Sequence, residues 1–241
     1  MHGGAPSALI GTLASSGVGE GELLARVQVD LERPVPLTPL VGTVERRQVS
    51  NRIAHLDVQL ATEDGERVVG ARALAMRTTE VVAANPAPPD AERPESFPLM
   101  IWDALYPPGQ VTFLRDATEH RIVRGGYGVA EPSAAWLRLV VPVVEGEVSG
   151  GLAELLGIAD FGSPLSIGGS VRKGLALINA DVNVTVSREP IGPWFRLEAS
   201  SRVGPGGVGV VVAQVHDGGG PLGVITQSQI VQRYQGPTTA S

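Results

Sequence analysis

Apolar and polar residues alternate along much of this 241-residue chain, and each alternating run predicts a β-strand. Before the first run, residues 5–16 form a mostly apolar segment with Pro6 near its start and Gly17 after its end, which is typical of a short helix. The first third is therefore predicted to be one helix followed by four antiparallel strands, separated by turn sequences such as Ser-Asn and Glu-Asp-Gly. The four predicted strands are residues 23–35, 40–49, 52–62 and 66–77.

The alternation stops at residues 84–110, a proline-rich stretch that we interpret as a linker or an ordered cover without regular structure. Beyond it, "TFLRDATEHRIV" and "AAWLRLVVPVV" predict two strands, and residues 149–163 predict a second helix. Its predicted buried face consists of Leu152, Leu155, Leu156 and Ala159. The last four predicted strands are residues 177–188, 194–203, 208–217 and 221–233.

The two halves of the chain resemble each other. The segment "DGERVVGARALAM" matches "DGGGPLGVITQSQ", and the interval from Asp64 to Gly70 equals that from Asp217 to Gly223. A helix followed by four strands thus occurs twice, which indicates duplication. Two such units could pair edge to edge into one continuous curved sheet around two central helices, an α+β architecture with fewer exposed edges.

Composition excludes several classes of function. The net charge of −6 and the lack of basic tracts argue against nucleic-acid binding, and no cysteine is present to form a disulfide, a thiolate site or a nucleophile. The four histidines show no metal-ligand spacing, so we expect no metal and no bound cofactor. Without a recognisable signal peptide or an apolar run long enough to span a membrane, the sequence favours a cytoplasmic location.

Four segments resemble the TesB-like acyl-CoA thioesterases, which have a double hotdog fold. These segments are "HGGAPSALI", "ADFGSPLS", "NADVNVTVSREPIGPW" and the final "RVGPGGVGVVVAQVHDGGGPLGVITQSQIVQR". The resemblance implies an N-terminal hotdog over residues 1–83, the linker 84–110, and a C-terminal hotdog over residues 111–235 that carries the active site. Family members usually have a further segment before "HGG", so the first hotdog is expected to lack its first strand, to have a misassigned start, or to receive the strand from a partner.

The resemblance also implies a water-activating trio of an acid, a hydroxyl residue and a glutamine. The acid falls on Asp181, the hydroxyl on Ser200 with Ser201 as the alternative, and the glutamine on Gln227 with Gln229 competing from the same strand face. Asp181 would be the base, and the other two would hold the attacking water. The first half lacks a matching trio, so one site per chain is expected.

Further expectations concern the substrate. Backbone N–H groups near Gly150 and Gly151, where the second helix begins, could stabilise the developing oxyanion. The resemblance implies an apolar tunnel for the acyl chain between helix and sheet, an acyl-CoA substrate, a place in fatty acid metabolism and, by analogy, a homodimer.

Other patterns in the sequence suggest different functions. "GPGGVG" and "GGGPLG" match a dinucleotide-binding pattern, but no helix is predicted after either, so both are interpreted as hairpin turns. Hotdog hydratases use an Asp-His pair, and no histidine lies near Asp181 in the sequence. His2 is interpreted as structural. The main alternative to an enzyme is a double hotdog that binds acyl-CoA or another acyl ligand without turnover.

Overall fold

The computed structural model describes residues 1–80, 92–102, 109–127, 132–166 and 174–233. Within these ranges the alternating runs form one antiparallel sheet. Its strands are β1 (Glu22–Leu31), β2 (Leu40–Ser50), β3 (Ile53–Thr62), β4 (Arg67–Arg77), β5 (Thr118–Arg124), β6 (Ser133–Leu139), β7 (Leu175–Asn179), β8 (Asp181–Val186), β9 (Phe195–Val203), β10 (Val208–Asp217) and β11 (Gly220–Arg233). The α-helices are α1 (Gly4–Ser16), α2 (Phe113–Asp116), α3 (Gly151–Ala159) and α4 (Gly162–Ser166), and Pro94–Ser96 forms a 3₁₀ turn.

One strand pair joins the N-terminal half (residues 1–80) to the C-terminal half (residues 92–233). The strand order is β2-β3-β4-β1-β8-β11-β10-β9-β6-β5, so β1 of the first half pairs with β8 of the second. The halves therefore share one sheet, and this confirms the predicted double-hotdog architecture. The domain limits at 83 and 110 stay a prediction, as does the acyl tunnel.

The sheet packs on α1 and α3, which lie antiparallel to each other. A Cβ on Gly4 would meet the carbonyl of Gly157, and a Cβ on Gly11 would meet the backbone of Ala153. Inward-facing strand residues and the helices form the core, in which Ile10, Leu155 and Leu156 are fully buried. Each such side chain stabilises the fold by about 1.5–3 kcal/mol through the area removed from water.

The second predicted helix is interrupted. Residues 149–163 were expected as one helix, but α3 ends at Ala159 and α4 begins at Gly162. Pro164 explains the break, because its ring would clash with the carbonyl of Asp160 in a continuous helix and it has no N–H to donate. The break leaves Asp160 at the end of α3, where its backbone carbonyl accepts from the N–H of Ser163 at 3.4 Å instead of from residue 164.

The structure also corrects the strand predicted at "TFLRDATEHRIV". Its first residues form the single turn α2, and the strand β5 begins only at Thr118. Two reciprocal hydrogen bonds cap this turn. The Thr112 hydroxyl accepts from the N–H of Arg115 at 3.3 Å, and the Asp116 carboxylate accepts from the N–H of Thr112 at 2.6 Å. These capping bonds favour a helical turn over an extended strand.

The glycine-rich segments are hairpin turns, as predicted. "GPGGVG" connects β9 to β10 and "GGGPLG" connects β10 to β11, and both strand pairs are antiparallel. Gly207 and Gly220 have positive φ angles, which a residue with a Cβ adopts only at a cost. None of the helices among the described residues is long and apolar enough to cross a membrane.

A buried histidine makes the fold sensitive to acid. His120 on β5 is fully buried; its Nε2 lies 2.7 Å from the Thr118 hydroxyl, its Nδ1 contacts the Tyr127 hydroxyl, and its ring packs edge-on against Phe161. Burial, with a smaller contribution from the charge of His2, lowers the pKa of His120 from 6.5 to about 3. The unfolded chain therefore binds a proton below pH 6.5 that the folded chain does not bind.

We predict that the free energy of unfolding falls as the pH drops from 6.5 towards 3, with a His120 contribution of about 1.4 kcal/mol per pH unit. His120→Gln removes this contribution, so its unfolding free energy should fall less steeply with acid than that of the unchanged chain. Urea denaturation at a series of pH values measures both slopes. His55→Gln, on the outer face of β3, is the control for the removal of a histidine as such; equal slopes for the unchanged chain and His120→Gln would contradict the prediction.

Candidate active site

The structure does not bring the predicted trio together. Asp181 begins β8 on the outer face of the sheet, where its carboxylate accepts from the backbone N–H of Ser228 at 2.6 Å and from the Ser228 hydroxyl at 3.2 Å. Ser200 is exposed on the outer face of β9, opposite Val212. Gln227 alone of the three faces inward and is buried. Two of the three side chains thus lie on the outer face and one lies inside, and their shared catalytic role stays a prediction.

Strand alternation explains this placement. Val182, Val184 and Val186 point into the core from β8, so Asp181 must point outward. The same rule places Ser201 inward beside the outward Ser200, and the Ser201 hydroxyl donates to the backbone carbonyl of Ser166 at 3.1 Å.

An irregularity between β7 and β8 reverses the side of the sheet to which the side chain of Asn179 points. Asn183 lies opposite Thr226, and Asn179 lies opposite Gln229. Moving from the first pair to the second takes four residues along β8 and β7 but only three residues along β11. One extra residue therefore sits between β7 and β8, as in a β-bulge. Asn179, which regular alternation would point outward, instead points inward.

A polar cluster forms where Asn179 enters the core. The Asn179 amide donates to Oδ1 of Asp160 at 2.5 Å, and its carbonyl oxygen accepts from Nε2 of Gln229 at 2.8 Å. The same Gln229 nitrogen lies 2.5 Å from the hydroxyl of Ser163. These four residues join the broken second helix to β7 and β11, and they hold a largely buried carboxylate among amide and hydroxyl groups.

Gln227 extends this polar cluster from the same strand face as Gln229. Its Nε2 donates at 3.4 Å to the backbone carbonyl of Asp160, which also accepts from the backbone N–H of Ser163 at 3.4 Å. The side-chain Oε1 atoms of Gln227 and Gln229 are buried and accept no hydrogen bond from the described residues. Two such acceptors side by side in a core favour a ligand or water that can donate, because an unpaired buried acceptor costs about 1–3 kcal/mol.

The N-terminal half contributes His2 to the cluster. Nδ1 of His2 accepts a hydrogen bond from the backbone N–H of Gly4 at 3.1 Å and lies 3.3 Å from Oδ2 of Asp160. The ring stacks on Phe113 and Phe161 at centroid distances of 5.0 and 4.9 Å. Burial lowers the pKa of His2 below 6.5, although the Asp160 charge opposes this, so the imidazole is neutral at pH 7. With 30% of its side chain exposed against 11% for Asp160, His2 lies nearer the solvent.

The two glycines after His2 allow this approach. A Cβ on Gly3 would lie 2.8 Å from Oδ2 of Asp160, and a Cβ on Gly4 would lie 2.3 Å from the carbonyl oxygen of Gly157. Without these glycines, α1 could not begin so close to the end of α3. The two glycines of "HGG" therefore permit a close backbone contact, which brings His2 of the first half to the Asp160 carboxylate of the second.

The predicted oxyanion donors are elsewhere. Gly150 and Gly151 begin α3, whereas Asp160 follows its last residue, about 13 Å away for a helix of nine residues. Gly151 instead packs closely on the carbonyl of Pro190. Backbone groups at the start of α3 therefore cannot serve chemistry at the polar cluster.

Asp160, Asn179 and Ser163 are not among the predicted site residues, and His2 is predicted to be structural. All four lie inside the segments that carry the family resemblance, "HGGAPSALI", "ADFGSPLS" and "NADVNV". Among the described residues, no three histidine or acidic side chains are grouped as metal ligands.

Comparison with known proteins identifies the family. Residues 1–78 match the acyl-CoA thioesterase N-terminal domain family, and residues 84–231 match the acyl-CoA thioesterase C-terminal domain family. The chain therefore belongs to the acyl-CoA thioesterase family and carries both domains in order; it is an enzyme of the acyl-CoA thioesterase class. No curated protein matched the chain.

Solved structures share the fold at low sequence identity. Thioesterase II TesB2 from Mycobacterium marinum is 18% identical with a TM-score of 0.66, over 91% of this chain and 84% of its own. A putative thioesterase from Novosphingobium aromaticivorans is 21% identical with a TM-score of 0.70, over 98% and 88%. A hotdog-fold protein of unknown function from Alicyclobacillus acidocaldarius is 17% identical with a TM-score of 0.73, over 97% and 87%.

We predict that Gly4→Ala lowers the free energy of unfolding by about 1–3 kcal/mol, because the new methyl group would overlap the backbone carbonyl of Gly157. Urea denaturation measures the loss. Gly206→Ala, in a turn with no atom within 4 Å of the added Cβ, is the matched control and should change stability little. Equal stability of the two variants would contradict the close helix contact.

Proposed function

We propose that this enzyme hydrolyses acyl-CoA thioesters by direct attack of water at the polar cluster of His2, Asp160, Ser163, Asn179, Gln227 and Gln229. The observation that carries the proposal is the buried Asp160 carboxylate, which lies among amide groups at the junction of both halves. Family membership supplies the substrate class, since both thioesterase domains are present.

Asp160 is the proposed base. The water oxygen attacks the thioester carbonyl carbon while one water proton passes to the Asp160 carboxylate. Collapse of the tetrahedral intermediate then breaks the carbon–sulfur bond and expels the CoA thiolate, which takes up the proton held by Asp160 and so restores the carboxylate. Positioned general-base catalysis of this kind typically contributes about 10²–10⁴-fold to the rate.

The other cluster residues would position the reacting groups. Asn179 holds Oδ1 of Asp160 and leaves Oδ2 on the side of His2. The Oε1 atoms of Gln227 and Gln229 can accept hydrogen bonds from the attacking water or from an amide N–H of the substrate. The His2 ring, whose Nδ1 lies 3.3 Å from Oδ2, would limit the space on the solvent side of the Asp160 carboxylate.

Three broader features accompany this proposal. The acyl chain would lie in the apolar layer between the helices and the sheet, and the enzyme would act in fatty acid metabolism in the cytoplasm as a homodimer. The sequence-based trio of Asp181, Ser200 and Gln227 stays a competing prediction for the catalytic residues, and acyl-CoA binding without turnover stays the alternative function.

We predict that Asp160→Asn lowers kcat by about 10²–10⁴-fold with little change in acyl-CoA binding, because the amide keeps the shape and the Asn179 contact but cannot take up a proton. A panel of acyl-CoAs with a dye for free thiol measures hydrolysis, and calorimetry measures binding. Asp57→Asn, an exposed acid of the N-terminal half, is the control for loss of one charge.

Asp181→Asn separates the two assignments of the base. If Asp160 is the base, this variant keeps most of the activity; a large loss in Asp181→Asn with an active Asp160→Asn would instead favour the trio. Binding without thiol release by the unchanged protein would favour the binding function. Conversion of a 3-hydroxyacyl-CoA to the unsaturated thioester would indicate that the His2–Asp160 pair performs dehydration.

A further inference from the structure

Gln227 carries a buried amide with one atom left unpaired. The residue is 1% exposed, and its Nε2 donates to the backbone carbonyl of Asp160. Because that carbonyl can only accept, the amide must turn its Oε1 the other way. This Oε1 atom accepts no hydrogen bond from the described residues. A buried acceptor of this kind indicates a donor that the chain itself does not supply there.

The duplicated fold shows that the sheet does not require this amide. Ala25 is an extra residue where β1 pairs with β4, just as Ala180 is an extra residue between β7 and β8. Matching these two irregularities equates three buried apolar residues with three amides of the polar cluster: Leu24 with Asn179, Ala73 with Gln227, and Ala75 with Gln229. The same strands are thus built without amides in the N-terminal half, so the amides of the C-terminal half point to a ligand.

The attacking water does not account for the free oxygens of both glutamines. In the proposed mechanism one water proton passes to Asp160, which leaves one proton for a single acceptor. Gln229 is the better placed acceptor, because its Nε2 binds Asn179 at 2.8 Å and Asn179 binds Asp160 at 2.5 Å. Oε1 of Gln227 therefore stays available for a donor on the substrate.

The described residues around Oε1 of Gln227 do not supply this donor. The inward hydroxyl of Ser201 on β9 is already used, since it donates to the backbone carbonyl of Ser166. A Cβ on Gly162 would lie 3.1 Å from Oε1, 3.6 Å from Val211 and 3.8 Å from Ala213. The space beside Oε1 is thus bordered by a bare glycine and two small apolar side chains.

Gln227 lies where the polar cluster meets the apolar core. It is two residues from Gln229 on the same face of β11, a distance of about 6–7 Å along the strand. The next inward residue, Ile225, is fully buried. The CoA arm of a bound thioester extends to solvent and the acyl chain enters the apolar layer, so the acyl group is the part that passes Gln227.

We infer, on the basis of the hydrolysis proposed at the polar cluster, that Gln227 determines specificity by accepting a hydrogen bond from a hydroxyl on the acyl chain. The preferred substrates are then short hydroxyacyl-CoA thioesters. A hydroxyl is a small uncharged donor, which suits a space bordered by apolar groups. An unsubstituted acyl group leaves Oε1 unpaired, and a site built to bind a hydroxyl rejects the analogue that lacks it.

The first experiment compares butanoyl-CoA with its 2-, 3- and 4-hydroxy derivatives, using the dye for free thiol. We expect at least one hydroxy derivative to have a kcat/KM about tenfold or more above that of butanoyl-CoA. Gln227→Met keeps the length of the side chain and removes the acceptor, so this ratio should fall to about one. Gln214→Met, on the outer face of β10, is the control and should keep the ratio of the unchanged chain.

Gly162→Ala tests the same contact from the opposite side. The added methyl group would lie 3.1 Å from Oε1 of Gln227 and occupy the place of the substrate hydroxyl. The ratio should therefore fall about tenfold in a chain that still contains the glutamine. Gly150→Ala, with no atom within 4 Å of the added Cβ, is the matched control and should keep the ratio. Circular dichroism and urea denaturation confirm that the variants are folded.

Equal kcat/KM values for all four thioesters would overturn this inference and assign a bound water to Oε1. A preference that Gln227→Met leaves unchanged would also overturn it. Calorimetry with the same thioesters separates the specificity from the proposed hydrolysis. A chain that releases no thiol, yet binds a hydroxy derivative about tenfold more tightly through Gln227, would overturn the hydrolysis and support the specificity. A chain that hydrolyses all four thioesters equally well would do the reverse.

Discussion

The antiparallel contact between α1 and α3 is the constraint on which the rest of the structure depends. Gly4 and Gly11 allow the helix backbones to approach so closely that a methyl group at either position would overlap the neighbouring helix. Because the helices run in opposite directions, the start of α1 meets the end of α3. His2 is thereby placed beside Asp160, although the two belong to different halves of the duplicated chain.

A second constraint acts through Pro164. Because Pro164 ends α3 at Ala159, the carbonyl of Asp160 is accessible to Gln227. The residues that follow turn so that the Ser163 hydroxyl contacts Gln229. A continuous helix would use that carbonyl internally. The polar cluster therefore depends on a helix contact that fixes its position and on a helix break that makes the Asp160 carbonyl accessible to Gln227.

The fold could be predicted from the sequence because strands and helices have strict periods, and the alternation identified nearly every strand. The site could be predicted only in part. Asp181 and Ser200 were selected by spacing along a motif, whereas the extra residue between β7 and β8 decides which side chain enters the core. That residue turns Asn179 inward and is not visible in a pattern of apolar and polar positions.

The same alternation also separates two surfaces with different chemistry. On β11, Gln227 and Gln229 face the buried carboxylate, while Ser228 and Ile230 between and beyond them face outward. The proposed water-attack site needs amide acceptors in a restricted polar space, whereas the outer face presents a hydroxyl group and an exposed aliphatic side chain. One strand of alternating polarity can supply both at once. Residues adjacent in a motif can therefore serve functions on opposite faces of the sheet, and their spacing alone does not establish a shared role.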